Sequence, residues 1–207
     1  MAAMKAIALL GITGNVGTRL LAELLRRGHE VTGIARNPDK VAPQPGLNLK
    51  RGDVRNEEEL AQLLGGHDAV IHSVMFKSTD PRKVINATKK AAVKRLLVVG
   101  GAGSLEVAPG VQLVDTPEFP AIYKSEALAG RDFLNVLRGE NELDWTFLSP
   151  SAFFVPGERT GKFRLGGDQL LVDENGESKI SMEDFAIALV DELETPKHSR
   201  QRFTIGY

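Results

Sequence analysis

Gly11-Ile12-Thr13-Gly14-Asn15-Val16-Gly17 sets three glycines at regular intervals close to the start of the chain. Where a strand passes into a helix, such a run leaves backbone N–H groups at the helix N-terminus with no side chain in the way. That arrangement binds phosphate. Gly11 suits the tight turn, Gly14 lets a pyrophosphate approach the backbone, and Gly17 lets the helix pack closely on the strand. Thr13, Asn15 and Val16 complete the loop. The spacing is G-x-x-G-x-x-G rather than the G-x-G-x-x-G fingerprint, but its position between a strand and a helix favours dinucleotide binding over a purely structural turn. Farther along, Ile34-Ala35-Arg36-Asn37-Pro38 closes an apolar run with arginine and offers no acid before Asp39. An acid there would bond ribose hydroxyls, whereas a planar, permanently charged guanidinium suits a 2′-phosphate. The sequence therefore predicts NADP(H) in preference to NAD(H). Asp53-Val54 is placed to meet the adenine, carboxylate to the exocyclic amine and valine against the ring; capping of a turn or helix is the competing role for Asp53.

These residues need a scaffold, and the chain alternates short apolar runs with amphipathic stretches, the pattern of a parallel sheet covered by helices. Strands are expected at residues 5–10, 31–35, 47–50, 69–74, 96–99 and 145–148. Helices are expected at 15–27, from Asn56 to about Leu64, after Asp80-Pro81, at 123–138 and from the Ser181 cap to about Leu193. Val172–Lys179 contains Asp-Glu-Asn-Gly and reads as a hairpin turn, and 202–205 as a closing strand. The fold class is α/β: one domain over residues 1–207, with a doubly wound, mainly parallel sheet and helices on both faces. Two long irregular stretches, 100–122 and 150–180, follow strands, so both fall at the carboxyl edge of the sheet, where open α/β folds bind ligands.

With 207 residues, the chain has material for one sizeable core. Lys and Arg total 26 against 27 Asp and Glu, so no global field draws it to nucleic acid or an anionic membrane. There is no cysteine, which excludes disulfides, a thiolate nucleophile and iron–sulfur ligation. His29, His67, His72 and His198 show no metal-ligand spacing, and no metal is expected. His72, ending an apolar strand, reads as a core histidine. Lys89, Lys90, Lys94 and Arg95 sit at a helix C-terminus, where cations suit the dipole. Met1–Leu10 is too short an apolar run for a membrane span and reads as a mature cytoplasmic N-terminus.

The glycine loop resembles that of the atypical short-chain dehydrogenases, and Asp144-Trp145-Thr146-Phe147-Leu148-Ser149-Pro150 is similar to their sixth-strand motif. Pro156–Phe163 and Arg164-Leu165-Gly166-Gly167-Asp168 resemble the bacterial proteins described as NADH-flavin reductases, and biliverdin reductase B (flavin reductase) is similar in layout. The resemblance covers nearly the whole chain. It implies a single Rossmann-type domain binding NAD(P)H, with hydride passing to a flavin-like or quinone-like acceptor that is a substrate rather than a prosthetic group. It implies that Ser73, Val74 and Met75 line the cofactor, that Gly100 and Gly101 lie near the nicotinamide ribose, and that Pro150, Ser151, Ala152 and Phe153 lie against the nicotinamide.

One departure matters. Carbonyl-reducing members use Tyr-x-x-x-Lys, the lysine lowering the tyrosine pKa. Here the stretch is Tyr123-Lys124-Ser125-Glu126-Ala127, and position 127 is alanine. Tyr123 remains the candidate acid. Ser104, after Gly100–Gly103, is the candidate hydrogen-bond donor to substrate, with loop capping as its alternative. Phe119, Tyr123, Phe153 and Phe154 suggest an aromatic floor for a small planar acceptor. The expected state is a monomer or small homo-oligomer. Two competing readings are an NmrA-like NADP-binding redox sensor without catalysis, and a sugar-nucleotide epimerase or dehydratase.

Overall fold

The computed structural model describes residues 3–207; Met1 and Ala2, the first residues of the expected N-terminal run, lie outside them. Along the first half, strands β1 (Ala6–Leu10), β2 (Glu30–Ala35), β3 (Leu47–Arg51), β4 (Ala69–His72) and β5 (Arg95–Val99) alternate with helices α1 (Asn15–Arg26), α2 (Glu57–Leu64) and α3 (Pro81–Lys90). The short strands β6 (Glu106–Ala108) and β7 (Val111–Gln112) precede α4 (Ala121–Arg138). Then come β8 (Asp144–Ser149), β9 (Phe153–Val155), β10 (Arg164–Gly166), β11 (Lys179–Ser181), α5 (Met182–Glu194) and β12 (Gln201–Gly206).

The main sheet has the order β10-β12-β8-β5-β4-β1-β2-β3. All its pairings are parallel except β10 with β12 at the edge. The order reverses between β1 and β4, so the doubly wound sheet has its switch point where the glycine loop leaves β1. Strand alternation divides the core. Ile7 and Leu9 face one side with Leu20 and Leu24 of α1 and Phe185 and Leu189 of α5. Ala8 and Leu10 face the other with Leu60 of α2, Val84 of α3 and Phe133 of α4. No described helix is long and apolar enough to cross a membrane.

Three expectations shift. The fourth strand stops at His72, not Val74. Ser73 still donates its N–H to the Leu10 carbonyl at 2.9 Å, but the chain then turns into a 3-10 helix at Phe76–Ser78. The stretch 172–179 is no hairpin. The Asp173 and Glu177 backbones close a tight turn around Gly176, and β11 pairs in parallel with β9. The two long stretches are also less irregular than their sequences suggest: they hold β6 with β7, and β9, β10 and β11.

Candidate functional site

The glycine loop is shaped by contacts that admit no side chain at two of its three glycines. Gly11 has φ +84°, and a Cβ there would lie 2.0 Å from the Ser73 carbonyl oxygen. A Cβ at Gly17 would lie 2.1 Å from the Gly11 carbonyl oxygen, so α1 sits directly on the turn. Gly14 differs: its backbone is ordinary, and a Cβ there would meet only Gly11 O at 3.4 Å. Its missing side chain serves the open space in front of it. The N-termini of α2, α3 and α5 are capped by Asn56, Asp80 and Ser181. The N-terminus of α4, after Pro120, has neither a side-chain cap nor an acid in its first turn, and the same holds for α1, which follows the glycine loop. The α1 amides and positive dipole end are therefore left for an anion from outside the chain.

In front of this turn lies a cleft of about 670 Å³, within the size range of small-molecule and cofactor sites. Of the expected residues, Gly11, Thr13, Gly14, Arg36, Asp53, Val54, Ser73, Val74 and Met75 line it. They arrive from the carboxyl ends of β1, β2, β3 and β4. Asn15, Val16 and Gly17 form the first turn of α1 behind them. The residues fit a dinucleotide: an open glycine cradle at an uncapped helix terminus, with a guanidinium at one end. Among the described residues no cluster of His, Asp or Glu is arranged to hold a metal ion.

Asp53 is not free. Arg55 grips both its oxygens, with Nε at 3.0 Å from each and Nη2 at 2.6 Å from Oδ2. That pairing, with a smaller contribution from the positive field of Arg36, holds the Asp53 carboxyl down at about 2. Arg55 and Lys77 also line the cleft. Neither was anticipated from sequence, although the Asp-x-Arg spacing after a strand was a readable sign for Arg55.

The other expected residues are not on this cleft. Ser104 is buried and held from behind: its Oγ accepts from Arg202 Nη1 at 3.1 Å, and its carbonyl from Nη2 at 3.2 Å. The same guanidinium donates to Ser149 Oγ and, through Nε, to Asp168. The loop-anchoring role is the one this geometry gives Ser104. Pro150 and Ser151 are buried, and Ser151 Oγ donates to the Ile205 carbonyl at 2.8 Å. Gly100 packs where a Cβ would lie 2.3 Å from the Phe147 ring, while Gly101 is half-buried. Ala152, Phe153 and Tyr123 are exposed. The four-membered aromatic floor does not form: Phe154 turns inward against Phe185, ring centroids 4.7 Å apart. Position 127 meets the loop itself, since a Cβ on Gly103 would lie 2.8 Å from that of Ala127. His72 is a core histidine, fully buried, and burial pushes its pKa down to about 4.

Pro156–Phe163 turns out to be a strap across α1 and α5. Arg159 reaches Glu23 through two nitrogens at 2.8 and 2.9 Å. The fully buried Asp184 accepts from the backbone of Thr160 and Gly161, the Thr160 hydroxyl and the Tyr207 hydroxyl.

Residues 11–196 match the family described as NAD(P)H-binding. Among solved structures, a protein from Burkholderia pseudomallei provisionally described as exported is 47% identical, with TM-score 0.90 over 99% of this chain and 100% of that one. One from Bacteroides thetaiotaomicron, provisionally described as an epimerase, is 45% identical, with TM-score 0.93 over 99% of this chain and 98% of that one. One from Streptococcus pneumoniae, provisionally described as an NADH-flavin reductase, is 35% identical, with TM-score 0.83 over 98% and 99%. The fold is the NAD(P)-binding, oxidoreductase-like one, and the chain belongs to the NAD(P)H-binding family.

Proposed function

We propose that this protein is an NADP(H)-preferring reductase that passes a hydride to a small planar acceptor of flavin-like or quinone-like class. The observation that carries the reading is the cleft itself: an open glycine cradle on an uncapped helix, with Arg36 rather than an acid at the end of β2. The α1 amides hold the pyrophosphate, and Arg36 selects the 2′-phosphate. When bound, the reduced nicotinamide supplies the hydride. This chain contributes orientation, which by itself accounts for much of the acceleration of a bimolecular step.

The side of the molecule beyond Met75 supports a planar acceptor. Met75, Tyr123 and Phe153 are 59%, 63% and 64% exposed, offering apolar and aromatic surface that the core does not use. With Ala127 packed on Gly103, Tyr123 has no lysine one turn away to ready it as an acid. Carbonyl reduction needs a proton delivered as the alkoxide forms; a flavin ring nitrogen can take its proton from water. The same absence counts against epimerase chemistry that relies on the tyrosine–lysine pair, whatever the description of the Bacteroides neighbour.

The test is NADPH consumption measured against a panel of flavins, quinones and ketones. Slow turnover with flavin mononucleotide and little with ketones is expected. Efficient ketone reduction that Tyr123→Phe abolishes would sink the reading. Cofactor binding with no turnover on any acceptor would favour the redox-sensor role.

A further inference from the structure

The segment after β4 forms one lip of the cleft, with Met75, Lys77, Ser78 and Thr79 lining it. Its 3-10 helix, Phe76–Ser78, receives no side-chain cap from Met75 before it. The cap comes instead from fifty residues away: on α4, Glu126 accepts the Phe76 N–H on Oε1 at 2.5 Å and the Lys77 N–H on Oε2 at 3.0 Å. One carboxylate thus satisfies two consecutive amides, and among the described residues it forms no ion pair with a lysine or arginine. A charged acceptor makes these bonds stronger than neutral ones.

The same face of α4 seats the lip's buried aromatic side chain. Phe76 lies over Gly130, where a Cβ would be 2.9 Å from its ring, and meets Phe133 edge-on at 5.4 Å. At the far end, Thr79 Oγ1 lies 3.3 Å from His72 Nε2 and donates to the Met75 carbonyl at 3.1 Å. The lip is therefore pinned at both ends. Its outer pin is the residue one helical turn beyond Tyr123.

Resting on the cofactor reading above, we propose that Glu126 is a positioning residue. It sets the Met75–Thr79 lip over the cofactor cleft and so governs cofactor retention without touching the cofactor. It also ties the lip to the helix that presents Tyr123, so the two sides of the site move as one body.

The experiment compares the parent with Glu126→Gln in three measurements: NADPH titration, steady-state kinetics with flavin mononucleotide, and amide hydrogen exchange. The glutamine keeps the size but turns an N–H₂ group toward one of the two amides. Its Kd and KM for NADPH should rise about tenfold, as expected for losing a charge-assisted hydrogen bond. The kcat should stay within about twofold, and exchange at Phe76 and Lys77 should accelerate at least tenfold. Faster exchange with unchanged NADPH affinity would make the contact merely structural and overturn the proposal. Unchanged exchange would overturn it as well, by showing that Glu126 does not hold the lip. A parent protein that binds no NADPH fails the cofactor reading first, and exchange at those two amides still reports whether Glu126 pins the lip.

Discussion

The cleft and the strap are both rich in polar groups, and they spend them in opposite ways. In the strap, Asp184 is wholly buried and its oxygens are taken up by Thr160, Gly161 and Tyr207. Glu23 is 3% exposed and is shared by Arg27 and Arg159. In the cleft, the α1 N-terminus is uncapped, Gly14 faces open space, and Arg36 is exposed with no ion-pair partner among the described residues. Buried polar groups that are fully partnered hold a structure together. Polar groups aimed at a concavity and left without partners are what a ligand can use. The difference separates scaffold from site more sharply than residue type does, since both regions contain Gly, Thr, Arg and Asp.

The largest effect should come from the strap. Asp184→Ala removes the buried carboxylate that the Thr160 and Gly161 amides and the Thr160 and Tyr207 hydroxyls share, and urea unfolding should show a loss of about 3 kcal/mol. NADPH affinity of the protein that remains folded should change little. Were affinity to fall as steeply as stability, the two regions would not be separable.

Gly14→Val should do the reverse. Its branched side chain fills the space kept for the pyrophosphate, so NADPH binding by calorimetry should weaken at least about a hundredfold, which is about 2.7 kcal/mol. Stability should move by less than about 1 kcal/mol, because a Cβ at that position meets no clash. Normal binding by a folded Gly14→Val protein would reduce the loop to a structural turn.

Arg36→Glu should remove a smaller amount, a preference for NADP over NAD of about tenfold or more, by setting a carboxylate against the 2′-phosphate. Equal affinities in the parent would show that Arg36 plays no such part.

The smallest effect is a pH dependence located in the strap. Burial pushes the Glu23 carboxyl up, but the hydrogen bonds from Arg159 and Arg27 outweigh it and hold it below its ordinary value of 4.5. A carboxyl depressed in the folded state contributes stability that is present above that ordinary value and lost as pH falls through the depressed folded one. Glu23→Gln should therefore flatten the acid side of a stability–pH curve below about 4.5 while leaving cofactor binding at neutral pH unchanged. An acid limb that keeps its slope would remove Glu23 from that role.

What the sequence made legible follows from local physics. The glycine loop was readable because turn geometry and helix packing impose glycine at fixed spacing. The cleft residues at the ends of β1 to β4 were readable because a doubly wound sheet brings strand ends together. The far side was not. Ser104 and Ser151 look like site residues in a linear chain, yet Arg202 and the Ile205 carbonyl, both from β12, draw them inward. Those partners lie 98 and 54 residues away, and no local pattern announces them. The Pro156–Asp168 stretch was specific enough to carry a family resemblance, but its contacts come from distant elements: Arg159 and Thr160 bond to α1 and α5, and Arg164–Gly166 pairs with β12. Arg55 and Glu126 were missed for the same reason: their roles depend on which backbone or carboxylate the fold sets beside them.

Calorimetric titration of the parent protein with NADPH and with NADH under identical conditions decides whether the glycine cradle and Arg36 form a cofactor site. Saturable binding of both at one site per chain is expected, with NADPH the tighter. Absence of binding by either cofactor would contradict it, as would an NADH affinity equal to or greater than that for NADPH.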